Sequence, residues 1–187
     1  MKVKDICLMT VCLSILIIAS KISIEIGIIS LTLQTFAVAL ISYLLKWKRA
    51  SFLFLTYIIM GLIGIPVFSS GGGFYYVLKP SFGFILGFFL QSFVTGSNIL
   101  KNSKLAYFTK GILGLLVIDI VGLIYMYFIL KFHIKSDKLN LIYLLEIGFL
   151  PFILKDIFSI ALAGVLGLRL IPLIDNMGIY NRDLLSE

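Results

Sequence analysis

Long apolar runs separated by short polar breaks make up this chain. Six runs stand out, at 6–20, 32–45, 52–68, 81–100, 106–130 and 144–170. The breaks between them read KISIEIGIISL, KWKRAS, SSGGGFYYVLKP, KNSK and KFHIKSDKLN, and a polar stretch, DNMGIYNRDLLSE, follows the last run. In hydrocarbon every backbone N–H and C=O must be satisfied within the segment, which selects helices. About 20 residues of helix cross the ~30 Å of a bilayer core. The pattern therefore predicts an all-α integral membrane protein. It is expected to be one six-transmembrane-helix bundle over 1–187, with 171–187 as a short cytoplasmic tail. No internal repeat or low-complexity stretch interrupts it.

Composition agrees with that reading. The 187 residues are 60% hydrophobic and 13% charged, against about 45–50% and about 25% in soluble domains. The net charge of +7 sits in the breaks, where it reports topology and anionic lipid headgroups rather than nucleic acid. With the N-terminus in the cytoplasm, ten basic residues fall inside: Lys2, Lys4, Lys46, Lys48, Arg49, Lys101, Lys104, Lys110, Arg169 and Arg182. Five fall outside, namely Lys21, Lys79, Lys131, Lys135 and Lys138, and Lys155 lies within the sixth run. Both termini are thus expected in the cytoplasm of a multi-pass protein of the cell membrane, the bacterial plasma membrane. The first run, behind Lys2 and Lys4, imitates a signal peptide but lacks a small-x-small cleavage site and reads as a retained helix. Cys7 and Cys12 lie inside that run as small packing residues. The lone His133 has no Cys or carboxylate cluster, so no metal site or cofactor is expected.

Polar residues inside or beside the runs are the candidates for chemistry. The glycines of SSGGGFYY allow positive φ and close backbone approach, and no G-x-x-x-x-G-K-[ST] makes this a phosphate loop. The stretch reads either as a mobile connector or as a ligand-facing loop with Tyr75 and Tyr76 as flat surfaces with polar tips. Thr32, Gln34 and Thr35 mark the outer end of the second run, where Gln34 either binds a neutral amide-like ligand or reaches for water. Lys155 and Asp156 sit inside the sixth run, where ionisable side chains are costly and point to function. Neighbouring helical residues do not face each other, so a mutual ion pair is not required. Lys155 is a candidate for an anion and Asp156 for ligand N–H groups. Asp119, mid-run, is expected to serve structure, protonated or paired with Asn98 or Tyr125. Small residues every four positions, Ser159, Ala163 and Gly167 together with Thr10 and Ser14, permit close helix packing within the bundle or against another subunit.

Taken in order, LTLQT at 31–35, GLIGIPVFSSGGG at 61–73, KPSFGFILGF at 79–88 and LPFILKDIFSIALA at 150–163 resemble the biotin-specific substrate-binding subunit, the S component of the BioY family, of energy-coupling factor transporters. The resemblance covers nearly the whole chain. It implies a six-helix bundle that binds biotin at its outer face, without covalent chemistry. A membrane-embedded coupling subunit and two cytoplasmic ATPase subunits would power transport. The implied ligand residues are Gln34, Thr35, Gly72, Gly73, Tyr75, Tyr76, Lys79, Phe82, Lys155, Asp156 and Ser159, with Phe74 among the aromatic contacts. Two departures stand out. The family's GPTGGY reads Lys79 to Phe84 here, with Phe82 in place of a glycine. Its PFxPGDxxK reads Pro151 to Ser159, so Asp156 matches the binding aspartate while Ser159 replaces the lysine. Lys155, four residues earlier and about 6 Å along the same helix face, or Lys79, is expected to take the ligand carboxylate. The alternative ligand is another carboxylated vitamin or a lipoate-like acid, and the alternative role is a membrane scaffold. Intramembrane proteolysis does not fit, since His133 lies in a loop and no His/Glu cluster exists.

Overall fold

The computed structural model describes residues 3–26, 29–97, 104–135 and 139–176. Helix α1 (Val3–Lys21) is the first apolar run, and the hydroxyls of Thr10 and Ser14 donate back to the carbonyls of Ile6 and Thr10. Beyond Lys21 the chain forms two short antiparallel strands, β1 (Ser23–Ile26) and β2 (Ile29–Thr32), paired Ser23 with Thr32 through Ile26 with Ile29. The break KISIEIGIISL is therefore a hairpin, and the bundle is not purely α. Isoleucines alternating with Ser23 and Glu25 suit a pleated strand.

Helix α2 (Gln34–Leu62) carries the second and third apolar runs and is interrupted at Lys46, whose φ of 58° and ψ of 173° are not helical. In a straight helix Gln34 and Tyr57 would lie about 35 Å apart. Instead Gln34 Nε2 donates to Tyr57 Oη at 2.9 Å, so the two arms fold back on each other at Lys46. At the bend Trp47 N donates to the carbonyl of Gly96, where a Cβ would come within 2.5 Å of Trp47 N.

Helices α3 (Phe82–Thr95) and α4 (Lys104–Phe128) pack closely, because Gly87 lies against Ile118 and Gly122 against the Phe84 ring. A π-helical turn, Ile129–Ile134, prolongs α4. The sixth run is broken into α5 (Leu141–Gly148), capped by the Asn140 carboxamide oxygen on Tyr143 N at 2.7 Å, and α6 (Ile153–Asn176). Leu150 and Pro151 lie in the turn between them, and Phe152 O accepts from Asp156 N at 2.9 Å. Among the described residues three helices, over 3–21, 105–134 and 153–174, are long and apolar enough to cross a membrane.

Between α2 and α3 the glycine stretch is folded rather than slack. Gly73 N donates to Gly61 O at 2.7 Å, Phe68 and Gly71 form a bridge, and Tyr57 Oη and Ser20 Oγ both donate to Val67 O. Gly71 and Gly73 adopt φ of 114°, a conformation that glycine reaches without steric cost. A short 3₁₀ turn, Phe74–Leu78, leads from it to α3.

Candidate functional site

The hairpin, the glycine stretch, the N-terminal turns of α2, α3 and α6 and the middle of α4 line a cavity of about 70 Å³. Its apolar wall is built from Phe84, Ile85, Phe88, Leu115, Ile118 and Phe152. Its polar groups come from β2 (Ser30, Thr32), α2 (Gln34, Thr35), the segment before α3 (Ser69, Tyr76, Ser81), α4 (Asp119) and α6 (Lys155, Asp156). Few polar groups set in an apolar wall is the composition that fixes a ligand's orientation.

The first turn of α6 carries the charges. Lys155 Nζ donates to Thr32 O at 3.0 Å and to Thr35 Oγ1 at 3.3 Å, and it forms an ion pair with Asp156 Oδ1. The ammonium thereby ties α6 to the end of the hairpin and the start of α2, and each of its three donors has a partner. Adjacent positions on one helix can pair because the long lysine stem curls back over the helix end. Asp156 is buried, and among the described residues its Oδ1 has no partner beyond that ammonium. Gln34 is held differently: its amide donates to Tyr57 Oη, and its oxygen accepts from Thr32 Oγ1 at 3.1 Å. One amide hydrogen and one lone pair remain to face the cavity.

A family model described as BioY family matches residues 1–176. The chain belongs to the BioY family. BioY-family relatives cover most of its length. The Biotin transporter BioY of Thermotoga maritima is 31% identical over 84% of this chain and 89% of the relative. Biotin transporter BioY2 of Lactococcus lactis is 32% identical over 89% and 90%, and the Probable biotin transporter BioY of Pyrococcus horikoshii 34% over 91% and 98%. The crystal structure of the S component for biotin from an ECF-type ABC transporter superposes with a TM-score of 0.78 over 90% of both chains, at 24% identity. The fold is that of a BioY-type S component.

Of the residues expected to bind, the cavity of this BioY-family chain brings together Gln34, Thr35, Tyr76, Lys155 and Asp156. The others lie elsewhere. Tyr75 is 58% exposed and Phe74 more so, both turned away on the outer surface. Lys79 donates to Ser70 Oγ at 2.8 Å and rests 4.7 Å over the Tyr76 ring, one layer outside the cavity. Phe82 is buried in an aromatic stack with Phe68, Tyr76 and Tyr125. Gly72 packs against Ile65 O, Gly73 N is spent on Gly61 O, and Ser159 is buried on α6 beyond the cavity. Asp119, expected to be structural, lines the cavity; Tyr125, one of its two expected partners, donates to Val77 O, and Asn98 lies outside the described residues. Ser69, Ser81 and the Phe84, Phe88 and Phe152 rings also line the cavity, and carry no sequence signal because short polar and aromatic residues are common in any apolar run.

Proposed function

We propose that this chain is the substrate-binding S component of an ECF-type transporter and captures biotin in the cavity beneath the hairpin. The observation that carries this reading is the Lys155–Asp156 pair at the cavity wall. A ureido ring presents one carbonyl acceptor flanked by N–H donors. An ammonium beside a carboxylate complements it, with Lys155 releasing Thr35 Oγ1 to donate to the carbonyl and Asp156 accepting an N–H. The fused thioether ring would lie on Phe84, Phe88 and Phe152. The carboxylate at the end of biotin's alkyl chain would then point toward the mouth. Lys79 could meet it there by leaving Ser70 and swinging past Tyr76.

In this reading six helices span the plasma membrane, with both arms of α2 among them and the termini in the cytoplasm, surrounded by membrane lipids. A separate coupling subunit and two ATPase subunits would drive transport, and the chain itself performs no covalent chemistry. Saturable binding of labelled biotin to the purified, folded protein, displaced by desthiobiotin and not by lipoate, is the expected result. Displacement by lipoate instead would turn the assignment to an acid without a ureido ring. Tyr75→Ala is expected to change biotin affinity by no more than about twofold, as for other surface substitutions. A larger loss would mean that the outer tyrosine closes over the ligand.

A further inference from the structure

We infer that Asp119 is a second acceptor in the ligand site, taking the ureido N–H that Asp156 leaves free, so that the cavity selects ligands with two N–H donors. This rests on the biotin reading above. Asp119 is 9% exposed and lines the cavity from α4, with Asp156 and Lys155 of α6 as its charged neighbours. Among the described residues its carboxyl has neither a hydrogen bond nor an ion pair. Tyr125 is committed to Val77 O, and the donors of Lys155 are committed to Thr32, Thr35 and Asp156.

Neither of the usual accounts of a carboxyl within a span applies. Fifteen residues separate Asp119 from Lys104 and fifteen from Ile134, about 22 Å each way along the helix, so a short side chain cannot reach water at either end. Nor does it staple two helices together. A carboxyl this far from bulk water takes its donors from its immediate surroundings, and the space in front of Asp119 is the cavity. With Lys155 turned from Thr35 Oγ1 to the ligand, Lys155, Asp156 and Asp119 offer one donor and two acceptors, the complement of a ureido group's one carbonyl and two N–H groups. A lipoate-like acid would leave Asp119 without a donor and be disfavoured on that ground.

The test compares biotin with its two mono-N-methyl derivatives on wild-type protein, Asp119→Leu and Asp119→Asn. Asp119→Leu is expected to weaken biotin about 10- to 100-fold, the range for a hydrogen bond to a charged group. Asp119→Asn keeps an acceptor without charge and should lose less. One methyl derivative should bind wild type poorly and yet bind Asp119→Leu as well as biotin does, because the methyl blocks the N–H that Asp119 received. Unchanged biotin affinity in Asp119→Leu overturns the inference, as does an equal penalty for each methyl group with and without Asp119. If Asp119→Leu does not fold, the same coupling is read in Asp119→Ala, which also removes the acceptor. Folded wild type that binds no biotin overturns the ligand assignment itself, a result visible before any variant is made.

Discussion

Lys155→Met is expected to weaken biotin binding by about 100-fold, the upper range for loss of a charge-assisted contact, and to lower thermal stability as well. The two losses have different origins. Methionine keeps the stem of the side chain but removes the ammonium that pairs with Asp156 and that holds Thr32 O and Thr35 Oγ1. Asp156, buried with no other partner on Oδ1, would keep an uncompensated charge, a situation that costs about 3–5 kcal/mol when one member of a buried pair is deleted. Removing both charges together is often close to neutral. Lys155→Met/Asp156→Asn should therefore recover the thermal midpoint while binding stays lost. Recovery of binding along with stability would show that the pair only holds the fold. Biotinamide, which lacks the tail charge, locates the carboxylate. If Lys155 holds the ureido carbonyl, its replacement weakens biotin and biotinamide equally, whereas Lys79→Met weakens biotin alone. The reverse pattern would return the carboxylate to Lys155.

These outcomes bear on what a sequence of this kind discloses. Lys155 and Asp156 are legible because an ion in an apolar run has few bland explanations, and Gln34 and Thr35 because they sit where a run begins. Their mutual arrangement is not legible: spacing along one helix says that neighbours diverge, and only the flexible lysine stem brings the ammonium back over the carboxyl. Asp119 is conspicuous in the sequence, but its surroundings depend on how α4 turns against α6, which no local pattern encodes. The hairpin at 23–32 hides because its isoleucines extend the hydrophobic pattern of the helices around it. The direction of Tyr75 against Tyr76 is hidden too. In a 3₁₀ turn, successive residues point about 120° apart, so one of two adjacent tyrosines enters the cavity wall and the other faces outward.

The glycine stretch leads to the other large expectation: Gly72→Val should prevent stable folding, and should do so without touching the ligand. A Cβ at Gly72 would lie 2.3 Å from Ile65 O, 2.9 Å from Ile65 C and 3.0 Å from Gly61 O. All three are backbone atoms in or just beyond the last turn of α2, with no rotamer through which to yield. Gly61 O is also the acceptor for Gly73 N, so pushing it away breaks the bond that closes the stretch. Phe68 beneath it is fully buried and contacts the rings of Tyr57, Tyr76 and Phe82. Displacing the stretch would thus loosen the cavity wall through Tyr76. Overpacking against yielding side chains costs roughly 1–3 kcal/mol, and against backbone the cost should exceed it. Gly64→Ala provides the contrast. A Cβ there meets nothing within 4 Å, and only its φ of 108° opposes the change, at about 1–3 kcal/mol. Thermal midpoints in detergent should rank wild type above Gly64→Ala, and Gly64→Ala far above Gly72→Val. A stable Gly72→Val that binds biotin more slowly but as tightly would instead describe a moving lid. The three glycines then have separate reasons: Gly72 presses its backbone against that of Gly61 and Ile65, where no side chain fits, while Gly71 and Gly73 take a φ of 114°.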